Sequence, residues 1–409
     1  MNKPTFLNLL FVSLLVLAGN ADAGTTDTIL HSFSGGATDG ANPYGSVIAD
    51  GGKLYGMTYN GGVSSKGVMY SMNANGSGYE ILHTFTGVTG DGASSWSTLI
   101  KSGDVIYGTT MSGGVSNRGV VFSINANGTG FQALHEFTGG SGGQSPLDGL
   151  TLSGGKLYGT TGSGGSANQG TVFSLNANGT GFSILHTLTG NEGQGPRSRL
   201  VVSGSEIFGA TTMGGVDSGG TVFMLHTDGT GFQKLKDLPY DVGGGTPQGP
   251  FGGLTLINST LYGVRHASSP GGGQIFSIGT NGLSYTTLYT LQNGVSGTTG
   301  NAGELQLING QLWGTTYYDA SGKGTVFSLN LNGTSFKTEY TFLGGTGDGS
   351  NPWNMSLAYD GAALYGTTIN GGASDLGTVF SIALIPEPST WAMIGAGVLG
   401  LLATRRRRA

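Results

Sequence analysis

The sequence predicts an all-β fold, a seven-bladed β-propeller whose blades are four-stranded antiparallel sheets. Three observations predict it. An aromatic–Gly pair recurs seven times at intervals of 50 to 54 residues, each copy divides into four short strand-like segments, and the two ends of the repeated region supply complementary parts of one copy. The seven pairs are Tyr55-Gly56, Tyr107-Gly108, Tyr158-Gly159, Phe208-Gly209, Tyr262-Gly263, Trp313-Gly314 and Tyr365-Gly366.

Each copy reads as four strands separated by turns. In residues 97–137 the segments are STLIK, VIYGTT, GVVFSIN and FQALHEF. They are rich in β-branched and aromatic residues, which favour strands, and Asn-Gly steps such as Asn127-Gly128 suit the positive φ of hairpin turns. We expect the Gly after each strand-two aromatic to let neighbouring sheets approach closely. Apolar side chains of strands two and three would then fill the space between blades.

The ends of the repeated region predict that the ring is closed. Thr28–Phe33, TILHSF, matches the fourth strand of a copy, whereas the last copy stops after its third strand, GTVFSIAL, at Leu384. Residues 28–33 should therefore complete the last blade by pairing beside residues 377–384. Closure removes the free sheet edges that would otherwise favour aggregation.

Composition restricts the class of protein. Gly accounts for 82 of 409 residues, but Tyr, Phe and Trp recur at fixed spacing, so a folded, turn-rich protein is favoured over a disordered linker. The absence of Cys excludes disulfides and thiolate metal sites. Without the two terminal segments, 12 of the 17 basic residues and 20 of the 22 acidic residues remain. Nucleic acid is therefore not an expected partner, since phosphate binding needs clustered Lys and Arg.

Both termini are typical of targeting segments that flank a repeat body at residues 24–384. Residues 1–23 combine Lys3, an apolar run and a small-x-small pattern at Ala21 and Ala23, which predicts a signal peptide cleaved before Gly24. Residues 385–409 contain an apolar run at 391–403 and then four arginines. The run is shorter than the roughly 20 residues of a lone spanning helix, so a short membrane anchor and a buried terminal helix both stay open.

The tail closely resembles the PEP-CTERM sorting signal of Gram-negative bacteria. It has the Pro-Glu-Pro triplet, the short hydrophobic segment and the basic end in the same order, at Pro386, Glu387, Pro388, Arg405, Arg406, Arg407 and Arg408. The resemblance implies export across the inner membrane, transient membrane anchoring by the C-terminal helix, and removal of the tail by an exosortase. It also implies a final place at the cell surface or outside the cell, where carriers of such tails are commonly linked to exopolysaccharide.

The repeats resemble the GloVer tandem repeat of exported bacterial proteins. The hallmark LYGTT-x-x-GG followed by GTVFS stands at residues 157–174 and 364–381, and the resemblance spans roughly residues 28–384. It supports the repeat architecture and implies no established activity.

Four histidines occupy one repeat position, but we expect no metal site there. His31, His83, His135 and His186 would lie on different blades, whereas metal ligands must converge on one ion. A packing or hydrogen-bonding role in strand four is favoured. No cofactor is expected, and no nucleophile constellation stands out.

A candidate ligand site is predicted from three of the seven loops that lead into strand one. In copies one, two and seven an Asp-Gly pair is followed by an aromatic residue five positions after the Asp: Asp39 with Tyr44, Asp91 with Trp96, and Asp348 with Trp353. Blades seven, one and two are adjacent in a closed ring, so these residues would cluster. Rings beside carboxylates suit sugar binding. The alternative is structural, with Asp-Gly forming a turn and the ring plugging the loop.

The sequence favours an exported, non-catalytic binding module of the cell surface or extracellular matrix, with a polysaccharide or a matrix protein as partner. One alternative is a polysaccharide-active lyase or hydrolase, which would need paired acids, for which Asp39, Asp91 and Asp348 are the clustered candidates. The other is a structural surface protein without a discrete ligand.

Overall fold

The computed structural model describes residues 27–239, 249–266, 273–291, 303–353 and 356–384. They form seven four-stranded antiparallel sheets, the blades of a propeller, which confirms the predicted fold class. The predicted signal peptide, with Ala21 and Ala23, and the predicted sorting tail lie outside the described residues. Within the described ranges no helix is long and apolar enough to cross a membrane.

Each blade runs in chain order from an inner first strand to an outer fourth strand. The first strands are Ile48–Asp50, Ile100–Ser102, Thr151–Ser153, Val201–Ser203, Thr255–Ile257, Gln306–Ile308 and Ala358–Tyr359. The second strands are Lys53–Met57, Val105–Thr110, Lys156–Thr161, Glu206–Ala210, Thr260–Arg265, Gln311–Thr316 and Ala363–Thr368. The third strands are Val68–Asn73, Val120–Asn125, Thr171–Asn176, Thr221–His226, Gln274–Gly279, Thr325–Asn330 and Thr378–Ala383. The fourth strands of blades one to six are Glu80–Thr84, Gln132–Glu136, Ser183–Thr187, Gln233–Asp237, Thr286–Thr290 and Lys337–Thr341.

Asp27–Ser32, the closing strand, is the fourth strand of blade seven. It pairs antiparallel with the third strand of that blade, with Thr28 opposite Ser381 and Ser32 opposite Thr378. The register shifts by one residue between Ile29 and His31, and the same bulge separates the third and fourth strands of the other six blades. The closing strand therefore takes a regular place in the ring, as the sequence predicts.

The apolar core lies between blades. Between blades one and two, Tyr55 and Met69 pack with Ile106 and Phe122, and equivalent clusters fill the other gaps. The expectation for the strand-two Gly was wrong in one respect. A Cβ at Gly108 would lie 2.6 Å from Cζ of Phe122, its register partner on the third strand of the same blade. The Gly therefore makes room for a ring within its own blade, not for the neighbouring sheet.

Copies one, two and seven each add a two-stranded ladder beside the blade, and these are the three copies with the Asp-Gly pair. The ladders join Gly40–Ala41 to Asn60–Gly61, Gly92–Ala93 to Ser112–Gly113, and Gly349–Ser350 to Asn370–Gly371. A 3₁₀ turn, Gly140–Gly142, stands in the corresponding loop of copy three. The ladders hold the loops that carry the candidate site residues.

A repeated side-chain contact near the fourth strands also joins neighbouring blades. This contact differs at the closing strand. The side chain at the histidine position stacks on an aromatic ring of the next copy, at centroid distances of 3.5–4.1 Å. The stacked pairs are His31–Tyr79, His83–Phe131, His135–Phe182, His186–Phe232 and Tyr289–Phe336, and Lys236 lies over Tyr285. At the closure, Tyr340 meets the side chain of Asp27 instead of an aromatic ring. Asp27 stands four residues before His31, the repeat position at which the other copies carry the ring.

Asp27 places a half-buried carboxyl group at the closure. Its Oδ2 atom is buried without a hydrogen-bond partner among the described residues. Burial, together with the nearby charge of Asp348, raises the pKa of Asp27 to about 6, although Tyr340 opposes the shift by hydrogen bonding. Because the folded-state pKa is raised, the protonated carboxyl fits the fold best. Its stabilising effect should be complete below about pH 4 and should disappear as pH rises through 6.

Asp27→Phe is therefore expected to stabilise the protein at pH 7.5 by about 1 kcal/mol, since it removes the ionised carboxylate and restores the ring pair. Urea unfolding between pH 4.5 and 7.5 measures the effect. The midpoint of the wild-type protein should fall relative to that of the variant as pH rises. Asp27→Asn, which removes the charge without adding a ring, should lose the same part of the pH dependence as Asp27→Phe and gain less stability. Parallel pH profiles for wild type and both variants would contradict the assignment.

Candidate functional site

The three predicted carboxylates are buried inside their own loops. Each accepts a hydrogen bond from the backbone N–H five residues earlier, at 2.8 Å for Asp39 and Asp91 and 2.6 Å for Asp348. Each also accepts one from the N–H of the following Gly. The fourth strand of the preceding blade supplies a third contact, from His31 at 3.2 Å, His83 at 3.0 Å and the Tyr340 hydroxyl at 3.0 Å. These contacts correspond to the structural alternative, in which the Asp holds a turn.

The histidines have the packing and hydrogen-bonding roles expected from the sequence. Burial raises the pKa of Asp39, but hydrogen bonds from His31 and Ser34 outweigh it and lower that pKa to about 2. In copy four Glu192 replaces the Asp, and its carboxylate lies 3.3 Å from His186. His135 lacks an acidic partner of this kind, and burial lowers its pKa to about 4. The Asp–His pairs therefore hold the loops against the fourth strands.

The three predicted aromatic rings meet one another. Tyr44 stacks on Trp96 with ring centroids 5.3 Å apart, and Trp353 meets both rings edge-on at 6.1 and 6.4 Å. They come together because blade seven closes against blade one. All three side chains are partly buried.

Three tyrosines from other loops extend this cluster. Tyr59 contacts Tyr44 at 5.2 Å, Tyr317 contacts Trp353 at 4.8 Å, and the exposed Tyr318 contacts Tyr317 at 4.2 Å. Sequence reasoning missed them, although Tyr59 and Tyr317 share one repeat position, the fourth residue after the strand-two aromatic. The six rings Tyr44, Tyr59, Trp96, Tyr317, Tyr318 and Trp353 are called the aromatic face below.

The aromatic face borders the mouth of the central channel. Tyr44, Trp96 and Trp353 line a cavity of about 20 Å³, room for about one water molecule, together with Thr98, Leu147, Asp148, Arg197 and Phe251. Leu147, Arg197 and Phe251 stand three residues before the buried Leu that precedes the first strand, as Trp96 does. Aligning the copies on that Leu could have identified them from the sequence. Further along the channel, the first strands of blades two to six line a cavity of about 600 Å³.

Two nitrogen donors at the mouth lack partners. Nε of Arg197 and Nε1 of Trp96 are buried without a hydrogen-bond partner among the described residues. The Arg197 guanidinium lies 5.4 Å from the ring centroid of Phe251, and burial lowers its pKa. By contrast Arg199, two residues further on, forms an ion pair with Glu304 at 2.6 Å.

Asp148 is the acidic group of the mouth cavity. Its Oδ1 atom accepts a hydrogen bond from the N–H of Gly149 at 2.6 Å. Burial raises the pKa of Asp148 to about 7, and the negative charge of Glu304 adds to the rise. Within the described ranges no group of three or more His, Asp or Glu side chains could hold a metal ion.

The protein is a tandem-repeat β-propeller. Stacked aromatic side chains join its neighbouring blades, and its aromatic face lies at one mouth of the central channel. The chain belongs to the Gloeobacter/Verrucomicrobia repeat family, whose model matches residues 20–173 and 131–319. Residues 384–408 match the PEP-CTERM protein-sorting motif. The protein is therefore exported across the inner membrane of a Gram-negative bacterium to the cell surface or the extracellular space. Comparison with curated proteins gives no significant match.

Solved structures share the fold at low sequence identity. The PL25 ulvan lyase bound to a GlcA–Rha3S saccharide is 12% identical with a TM-score of 0.53, over 88% of this chain and 96% of the lyase. A puromycin-hydrolysing peptidase of Mycobacterium tuberculosis is 12% identical with a TM-score of 0.54, over 85% of this chain and 55% of the peptidase. YCF48 of Cyanidioschyzon merolae is 10% identical with a TM-score of 0.50, over 88% and 99%. At these identities the likeness is one of fold alone.

Proposed function

We propose that the protein is a non-catalytic binding module for extracellular polysaccharide, and that the aromatic face is its contact surface. The observation that carries the proposal is the continuous run of six rings from copies six, seven, one and two around the channel mouth. Sugar CH groups pack on aromatic rings, while Tyr hydroxyls and Trp N–H groups hydrogen-bond to sugar hydroxyls. A run of rings suits an extended chain better than a single small ligand.

In this proposal the three predicted aromatic rings contact the ligand, whereas the three predicted carboxylates support the loops that carry those rings. Asp39, Asp91 and Asp348 hold the loops from which Tyr44, Trp96 and Trp353 project, and their oxygens are already hydrogen-bonded within those loops. The ulvan lyase, a solved structure of similar fold, was determined with a bound GlcA–Rha3S saccharide, which supports the proposal. A matrix protein as partner has no comparable support among the described contacts.

The second expected partner is an exosortase, which would act on the protein during export. The PEP-CTERM motif implies processing by an exosortase. We propose that the apolar run at residues 391–403 anchors the protein transiently in the membrane until Pro386–Pro388 has been recognised and the tail removed. This segment lies outside the described residues.

Trp353→Ala is expected to weaken polysaccharide binding about tenfold, since it removes the ring that joins the two halves of the aromatic face. Isothermal titration against polysaccharides of the producing cell measures the affinity. Leu343→Ala is the control, because Leu343 is 75% exposed and lies outside the face. Circular dichroism establishes that both variants are folded. Unchanged affinity in a folded Trp353→Ala protein would exclude the face as the contact surface.

An enzyme acting on polysaccharide is the second candidate, and Asp148 favours it. A carboxyl group whose pKa is about 7 can exchange protons at neutral pH, and Glu304 lies close enough to influence it. The three carboxylates predicted for this role are instead held in their loops. A reducing-sugar assay and an assay for unsaturated products test the candidate. Turnover that is lost in Asp148→Asn would replace the binding proposal, and the absence of turnover against a bound polysaccharide would remove the enzyme candidate.

A further inference from the structure

We infer that the channel mouth contains an anion subsite, formed by Arg197 and Trp96, which takes a carboxylate or sulfate group of an acidic polysaccharide. This rests on the proposed function, because the aromatic face would hold the sugar chain that carries the acidic group.

Arg197 is the first ground for the subsite. Its guanidinium stacks on Phe251 and makes no ion pair with a described residue. A partly buried charge without a counter-ion is costly, and the cost falls when an anion binds. Arg199, in the same loop, already has Glu304 as its counter-ion. The planar guanidinium matches carboxylate and sulfate oxygens, to which it can donate two parallel hydrogen bonds.

Trp96 is the second ground. Its indole N–H is buried without an acceptor among the described residues, and an indole nitrogen can only donate. Trp96 and Arg197 line the same cavity of about 20 Å³. That volume is too small for a sugar ring and sufficient for one oxygen-sized group. The geometry therefore suits an acidic substituent that places one oxygen atom in the cavity while its sugar stays on the aromatic face.

Asp148 gives the subsite a pH dependence. The titratable groups around it are Arg197 and Tyr44 on the cavity wall, and Arg199 with Glu304 below. Burial raises the pKa of Tyr44, so its hydroxyl stays neutral. Protonated Asp148 can donate a hydrogen bond to an anion, whereas ionised Asp148 repels it. Affinity for an acidic polysaccharide should therefore fall as pH rises through about 7.

Titration of the exported protein with dextran, polygalacturonate and dextran sulfate tests the inference, since these are neutral, carboxylated and sulfated. Arg197→Gln should weaken binding of an acidic polysaccharide at least tenfold. Arg118→Gln, which removes an exposed arginine elsewhere, should weaken it far less. Trp353→Ala should weaken neutral and acidic ligands alike. The carboxylated and sulfated arms show which acidic group the subsite takes.

The outcomes separate the subsite from the proposed function. If Trp353→Ala weakens binding and Arg197→Gln behaves like Arg118→Gln, the subsite is wrong and the proposed function stands. If no polysaccharide binds, inorganic sulfate is titrated instead, with the tryptophan fluorescence of the protein as the readout. Sulfate binding that Arg197→Gln abolishes would then identify a small-anion site and overturn both the polysaccharide ligand and the proposed function.

Discussion

A chain from which residues 27–33 are deleted is expected to lose the cooperative unfolding transition of the intact protein. The deletion removes the closing strand and Phe33, which is fully buried and meets Tyr70 edge-on at 5.4 Å. Loss of a buried Phe side chain alone costs about 3–5 kcal/mol, against the roughly 5–15 kcal/mol by which typical domains are stable. The third strand of blade seven also becomes a free edge, so aggregation should increase.

Urea unfolding followed by Trp fluorescence measures this effect, with light scattering for aggregation. A matched control restores residues 27–33 with the sequence of residues 79–85, YEILHTF, which is the fourth strand of blade one with its preceding ring. The control should unfold cooperatively, because the closing strand makes the same pairing and bulge as the other fourth strands. A deleted protein with an unchanged unfolding midpoint would show that closure does not stabilise the fold.

Gly209→Ala is expected to destabilise the protein by about 1–3 kcal/mol through overpacking. A Cβ at this position would lie 2.4 Å from Cζ of Phe223 and 2.8 Å from Cδ2 of Leu200. Phe223 is fully buried and Leu200 nearly so, so neither side chain can withdraw without disturbing the core between blades. The clash must outweigh the small gain that Ala normally brings over Gly inside a strand.

Gly190→Ala is the matched control for this substitution. Gly190 lies in the loop before the same blade, is exposed, and would bring its Cβ within 4 Å of no other atom. Its unfolding midpoint should be close to that of the wild-type protein, whereas Gly209→Ala should unfold at clearly lower urea. Equal midpoints for the two variants would mean that the strand-two Gly is not required for packing.

The architecture could be predicted because the sequence of each copy independently predicts the same four-stranded backbone. A hairpin step such as Asn127-Gly128, an alternating strand and an aromatic–Gly pair each carry local information, and repetition removes the ambiguity of any single copy. Closure followed from one comparison, since residues 28–33 repeat the fourth strand that the last copy lacks. The structure then confirmed the pairing, with the strand boundaries at Asp27 and Ser32.

The site could be predicted only in part, because its chemistry depends on contacts that cross copies. The meeting of Tyr44, Trp96 and Trp353 followed from the order of blades in a closed ring. The hydrogen bonds of Asp39 could not be predicted in this way, since the same Asp-Gly spacing fits a ligand contact and a turn that pairs with His31. The strand-two Gly was predicted to contact the neighbouring sheet, whereas it contacts a Phe ring of its own blade. The sequence shows that the residue is small but not which side chain packs against it.

The missing partner of Arg197 is a further property that no sequence pattern reveals. Arg197 and Arg199 stand two residues apart in one loop, and nothing in the sequence separates them. In the folded chain Glu304, more than a hundred residues away, pairs with Arg199, whereas Arg197 has no ion-pair partner among the described residues. Unpaired polar groups of this kind are informative because buried donors and acceptors are nearly always satisfied.

Cross-linking of the closing strand tests the central claim most directly, since the aromatic face exists only if blade seven meets blade one. The natural chain has no Cys, so Thr28→Cys with Ser381→Cys places one pair of thiols at register partners. The Cα atoms of partners across antiparallel strands are close enough for a disulfide. Mild oxidation should give an intramolecular 28–381 bond in the monomer, identified by mass spectrometry after proteolysis. Thr28→Cys with Ser174→Cys, at the equivalent position of blade three, should give none. An intramolecular bond in the blade-three pair, or no 28–381 bond in a folded monomer, would contradict the closed ring.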